Sequence, residues 1–167
     1  MASKIGFVGL GIMGKPMAKN LLKASHSLVA YDIMPAGMDE VVAAGADKGS
    51  SPKDVASRTD LVITMVPDGP EVEQAVLGSN GVLEGARKGT IVVDMSSISP
   101  MVSQKVGAAC EALGVEFLDA RGVSVLLATK LAAEEAGRDL RVTNAQGLPA
   151  RVLRLLGLES WCRANAG

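Results

Sequence analysis

Aromatic side chains are scarce: two Phe, one Tyr and one Trp make up 2% of the 167 residues. A core with so few rings must be built from Val, Leu, Ile, Ala and Met, which suits parallel strands buried between helices. The same scarcity removes stacking platforms for nucleic-acid bases, and Trp161, alone in a polar stretch, reads as packing locally. Cysteine is nearly as rare. Cys110 and Cys162 have no C-x-x-C partner, so both read as free thiols, with no disulfide framework and no metal site expected. The one histidine, His26, sits between Ser25 and Ser27 and reads as a surface-turn residue rather than a catalytic base. No apolar run approaches the roughly 18 residues of a membrane span, and Met1 to Lys4 leads straight into a strand without a signal-peptide core, so the cytoplasm is the expected location. Neither sign of charge is in excess. A formal net charge of −1 leaves no basic footprint for nucleic acid or for a membrane surface.

Short apolar runs do occur, and over the first 120 residues they alternate with amphipathic segments in the pattern of βαβ units on a parallel sheet. The runs predict six strands, at residues 4–9, 27–32, 46–48 (weakly), 61–66, 90–94 and 115–119. Met13, Met17 and Leu21 recur at helical spacing with Lys15, Lys19 and Lys23 on an offset stripe, which predicts a helix packed on the sheet. Further helices are expected from about 38 to 44, 52 to 57, 70 to 77 and 100 to 113, most of them entered through Pro or Ser.

After Ala120 the texture changes. Residues 1–120 carry eight Lys and two Arg, residues 121–167 one Lys and six Arg, and the net charge moves from −4 to +3. The expected organisation is therefore a Rossmann-type α/β domain at 1–120, a doubly wound parallel sheet, followed by a divergent tail at 121–167. In the tail, helix-like segments run from about 125 to 136 and 148 to 156.

The sharpest motif is Gly9-Leu10-Gly11-Ile12-Met13-Gly14, at the end of an apolar strand and the start of an amphipathic helix. In that context Gly9 permits a tight turn, Gly11 lets the backbone approach a pyrophosphate, and Gly14 lets the helix pack on its strand. The helix N-terminus supplies N–H groups and about half a positive charge to the phosphates. Asp32 closes the second strand 18 residues after Gly14, close to the spacing of about 20 at which an acid reaches the adenosine ribose. A carboxylate there repels a 2′-phosphate, and neither Ile33 nor Met34 is an Arg able to hold one, so NAD is expected over NADP. Met65, Val66 and Pro67 after the fourth strand, and Ser96 and Ser97 after the fifth, should line the same crevice. The serine hydroxyls are candidates for the nicotinamide ribose or amide, with N-capping of the next helix as the alternative.

Residues 7–22, FVGLGIMGKPMAKNLL, with ITMVP at 63–67, GSNGVLEGA at 78–86 and DMSSISP at 94–100, resemble the β-hydroxyacid dehydrogenase family, over about residues 1–120. The likeness is greatest to the branch that interconverts tartronate semialdehyde and D-glycerate. It implies coenzyme roles for Gly9 to Gly14, Asp32, Val66, Pro67 and Ser97, and a small hydroxyacid or semialdehyde as substrate. The resemblance next implies D-A-P-V-S-G-G, a substrate-clasping segment, where this chain has Asp119-Ala120-Arg121-Gly122-Val123-Ser124-Val125. Ser124 is the remaining substrate candidate. An all-helical C-terminal domain bearing a catalytic lysine is also implied, and Lys130 in Thr129-Lys130-Leu131-Ala132 echoes its helix. Glu134 stands where that helix has Asn, however, and Lys130 reads more readily as part of a solvated helix face. The expectation is thus a truncated coenzyme-binding module with little turnover, inclined to self-associate through uncovered apolar surface. The alternatives are a working dehydrogenase that draws its catalytic groups from the short tail, and a partner-binding scaffold.

Overall fold

In the computed structural model, residues 4–119, Thr129 and 132–138 are described. The elements run β1 (Ile5–Val8), α1 (Gly14–Lys23), β2 (Leu28–Tyr31), α2 (Pro35–Ala43), β3 (Asp47–Lys48), α3 (Pro52–Ser57), β4 (Leu61–Thr64), α4 (Gly69–Leu77), α5 (Val82–Gly85), β5 (Ile91–Asp94), α6 (Pro100–Ala112) and β6 (Glu116–Asp119). The chain divides at Ala120/Arg121, and all of these elements belong to the first unit. Of the two tail helices expected from sequence, Thr129 and residues 132–135 are helical and Ala136 lies in a turn; the rest of the first and all of the second lie outside the described residues.

The six strands form one parallel sheet in the order β3-β2-β1-β4-β5-β6. This is the Rossmann order, in which the chain winds outward from β1 in one direction and then, from β4, in the other. Successive side chains point to opposite faces, so β1 offers Phe7 to one side and Gly6 and Val8 to the other. A Cβ on Gly14 would approach the Phe7 ring at 3.3 Å, which puts α1 on the Phe7 face. A Cβ on Gly6 would meet the Val55 side chain of α3 at 2.5 Å, which puts α3 on the opposite face. Helices therefore cover both sides. On the second face Val8, Val62 and Val92 pack with Val72 and Val76 of α4, Val82 of α5, and Val106 and Cys110 of α6. The buried residues of this cluster are aliphatic apart from Cys110, with Tyr31 and Phe117 packed against it, and burying each Val stabilises the fold by roughly 1.5–3 kcal/mol relative to exposure.

The helix starts follow from local chemistry. Ser51 caps α3 by accepting from Asp54 N at 3.1 Å, Asp68 caps α4, and Ser99 caps α6 by accepting from Val102 N at 3.3 Å, each followed within two residues by Pro. Replacing Ser51 with Ala should cost about 1 kcal/mol, read as a lower urea midpoint at constant slope; an unchanged midpoint would show that the cap contributes nothing. Two elements differ from expectation. α2 begins at Pro35, three residues early, because Pro at the first helical position presets the backbone. α5 was not expected at all: four residues after a glycine are too few to show a period.

Candidate functional site

The adjacent strands β1 and β4 lead away in opposite directions, which opens a crevice beyond their carboxyl ends. Its floor is the turn from Gly9 to Met13. Gly9 has φ +97, and a Cβ there would collide with the Met65 carbonyl, so this position is closed to any side chain. A Cβ on Gly14 would overlap the Gly9 carbonyl oxygen. Gly11 is different. A Cβ there meets nothing within 4 Å, and its backbone is not left-handed, so the fold itself does not require glycine at this position. What the missing side chain leaves is open space in front of α1. Met13 stands at the N-cap of α1 with no side-chain hydrogen bond and no acid lies in the first turn, whereas side chains cap α3, α4 and α6. An uncapped helix end facing clear space is fitted to take a diphosphate on its N–H groups. Ile12, 93% exposed, and Met13 project from the rim.

Asp32 lies just beyond β2, half-buried, and braces this turn. Its Oδ2 accepts from Leu10 N at 2.5 Å and its Oδ1 from Met34 N at 2.7 Å. A carboxylate has about four lone-pair positions, so two remain for a vicinal diol. Ile33 and Met34 are exposed beside it and offer no cation. Behind them α2 comes so close that a Cβ on Gly37 would stand 2.8 Å from the Leu10 carbonyl, and Glu40 of α2 ties to Lys15 and Lys19 of α1 at 2.6 and 2.9 Å. The two ammonium groups hold the Glu40 carboxyl at about 2, well below its usual range. The bridge is exposed and open to screening by salt.

On the other side of the crevice Met65 N donates to Val8 O at 2.9 Å and Val66 N to Ser96 Oγ at 3.0 Å. The two serines considered together in the sequence part company here. Ser96 is 8% exposed and its hydroxyl serves Val66, while Ser97 is exposed; the cap of α6 falls to neither, because Ser99 provides it. Beneath them lies Asp94, fully buried, accepting from Thr64 Oγ1 at 2.8 Å and Ser96 N at 3.2 Å. Burial raises its pKa, the hydrogen bonds from Ser96 and Thr64 oppose that, and Asp119 on the next strand adds to the rise. Sequence reading passed over Thr64, Asp94 and Gly37. The signal for Asp94 was present, since like Asp32 it is a carboxylate closing an apolar strand.

Ser124 and Lys130 lie outside the described residues, as do Trp161 and Cys162. His26 lines a shallow surface depression with Lys4, Ser27 and Asp47, at the amino ends of the strands and so away from the crevice. Cys110 is buried, which pushes its thiol up to about 11 and leaves it unreactive. Among the described residues no group of three or more His, Cys, Asp or Glu side chains is placed to hold a metal ion, and no helix is long and apolar enough to cross a membrane.

Residues 4–125 match the family model described as the NAD binding domain of 6-phosphogluconate dehydrogenase. Mitochondrial 3-hydroxyisobutyrate dehydrogenase of Bos taurus is 44% identical over 122 residues, which is 72% of this chain and 36% of that protein. The 2-hydroxy-3-oxopropionate reductase of Escherichia coli K12 is 43% identical over 117 residues, 70% of this chain and 40% of that one. A crystal structure of 3-hydroxyisobutyrate dehydrogenase from Salmonella typhimurium superimposes with a TM-score of 0.64 at 29% identity, covering 69% of this chain and 40% of that one. The chain thus spans well under half the length of the curated relatives it matches.

Proposed function

This chain belongs to the β-hydroxyacid dehydrogenase family and carries its NAD(P)-binding domain, and from that premise we propose that it binds NAD in preference to NADP. The observation that carries the proposal is the empty volume in front of Gly11 at an uncapped helix end, with the Asp32 carboxylate at the neighbouring strand. The first suits a diphosphate. The second suits an unsubstituted adenosine ribose, whose hydroxyls donate to the lone pairs that Leu10 and Met34 leave free. With Asp32 on the β2 side, the nicotinamide half extends over β4 and β5, toward Met65, Val66, Pro67 and Ser97.

The substrate class proposed is a short hydroxyacid or its semialdehyde, with tartronate semialdehyde and D-glycerate as the pair to test, in keeping with the likeness to the reductase. Bound NADH would supply a hydride to the carbonyl carbon, and the oxygen left negative then needs a proton. Lys130 is the candidate donor and Ser124 the candidate substrate contact. The segment around them has lost the paired glycines after Ser124 and carries Glu134 in place of an amide. We therefore expect coenzyme binding with little turnover.

Calorimetric titration with NADH and NADPH tests the binding reading. NADH should bind more tightly, and a tighter NADPH would reverse the assignment. Oxidation of NADH, followed in the presence of tartronate semialdehyde, tests the second reading, and turnover at rates ordinary for a dehydrogenase would make the chain a working enzyme. A folded chain that binds neither coenzyme would favour a partner-binding scaffold.

A further inference from the structure

Three side chains stand in register across the carboxyl ends of neighbouring strands: Thr64 on β4, Asp94 on β5 and Asp119 on β6. Asp94, in the middle, has no exposed surface. Its Oδ1 takes two hydrogen bonds, from Thr64 Oγ1 at 2.8 Å and from Ser96 N at 3.2 Å, while Oδ2 has no hydrogen-bond partner among the described residues. Ser96 in turn accepts from Val66 N at 3.0 Å, and Met95 N donates to Thr64 O at 2.8 Å. These bonds close a loop. One side of it is the turn after β4 and the other the step after β5, and the residues just outside it are Pro67 and Ser97, both exposed. On the far side Asp119 Oδ2 accepts from Ser103 Oγ of α6 at 2.7 Å, extending the polar row to the next helix.

Burying a carboxyl with one oxygen left without a partner is costly, and an apolar residue at position 94 would avoid that cost. Such a group is retained where it fixes a geometry that apolar packing would leave loose. Among the described residues, the backbone it bonds outside β5 and β4 is Ser96 N, and Ser96 Oγ in turn accepts from Val66 N, so the bond to Asp94 ties the step after β5 to the turn after β4. We propose that Asp94 is a positioning residue for the coenzyme, the pin that holds the turn Met65 to Pro67 and the step Ser96 to Ser97 at a set separation so that both reach the nicotinamide end of the bound dinucleotide. This rests on the coenzyme reading given above. It assigns to Asp94 a role that touches only one half of the ligand, since Asp32 and Gly11, on the β2 side and at the β1 turn, hold the other half independently.

The test compares NADH with ADP-ribose, which has both phosphates and the adenosine but no nicotinamide. In Asp94→Ala, checked for folding by circular dichroism, calorimetry should show the NADH dissociation constant rising about tenfold, the scale of one lost buried hydrogen bond, with ADP-ribose affinity unchanged. Should that variant fail to fold, Thr64→Val, which removes the bridging hydroxyl without changing side-chain size, carries the test and should show the same split at smaller amplitude. Equal weakening of both ligands, or no weakening of NADH in a folded variant, overturns the inference about Asp94. A parent chain that binds neither ligand instead overturns the coenzyme reading, so the two failures are distinguishable.

Discussion

Substituting Gly11 with Val should abolish NADH binding, with an affinity loss of about a hundredfold or more, and leave the protein folded. Both halves of that expectation come from one observation: a Cβ at position 11 meets nothing within 4 Å, and the backbone there is not in the left-handed region. What the side chain would fill is the space in front of α1, where a diphosphate must come within hydrogen-bonding distance of the N–H groups. Gly14 supplies the contrast. Its Cβ would overlap the Gly9 carbonyl, so Gly14→Ala forces the helix off its strand and should destabilise the fold by roughly 1–3 kcal/mol. In a domain of about 120 residues that appears as a melting temperature lower by about 4 °C for each kcal/mol. Thermal melts and calorimetric titrations on the two variants separate the roles: position 11 should change binding alone, and position 14 stability as well. A folded Gly11→Val variant that binds NADH like the parent would remove the basis for the dinucleotide site.

The parts of this arrangement that could be read from sequence are those whose partners are close in the chain. Strand, glycine turn and helix follow one another from Ile5 to Lys23, and the apolar period changes from two to about four within a few residues, so β1, α1 and the cradle between them were legible. Asp32 was legible for a related reason, since a strand of known length must end with something at its carboxyl edge. Two of the bonds around Asp94 join residues 30 positions apart, Thr64 to Asp94 and Val66 to Ser96, and exist only because β4 and β5 are neighbours in register. No local pattern encodes that pairing. The near contact of Gly37 with the Leu10 carbonyl depends on how α2 leans over the first turn, and nothing in the sequence around position 37 specifies the lean. Ser96 and Ser97 are adjacent and chemically alike. Which one faced inward depended on the direction of the chain after Asp94, and the sheet sets that direction.

Asp32→Asn should erase or reverse the preference for NADH over NADPH, and the ratio of the two dissociation constants is the quantity to measure. In the complex proposed above the adenosine ribose lies against the Asp32 carboxylate, so a 2′-phosphate would have to approach a negative charge. At about 5 Å and an effective dielectric of about 20, that repulsion is roughly 3 kcal/mol per unit of phosphate charge before screening. Salt and side-chain movement reduce it, so the ratio should fall by about tenfold or more when the charge is removed. Asn cannot reproduce both bonds that Asp32 accepts, from Leu10 N and Met34 N, because one of its two polar atoms is a donor. The cradle is therefore expected to loosen, and both coenzymes should bind less well in absolute terms. That loss is common to the two ligands and cancels in the ratio, which isolates the electrostatic contribution of the carboxylate. If the ratio stays at its parent value while both affinities fall together, Asp32 acts only as a brace for the glycine turn, and discrimination between the coenzymes must come from the exposed pair Ile33 and Met34.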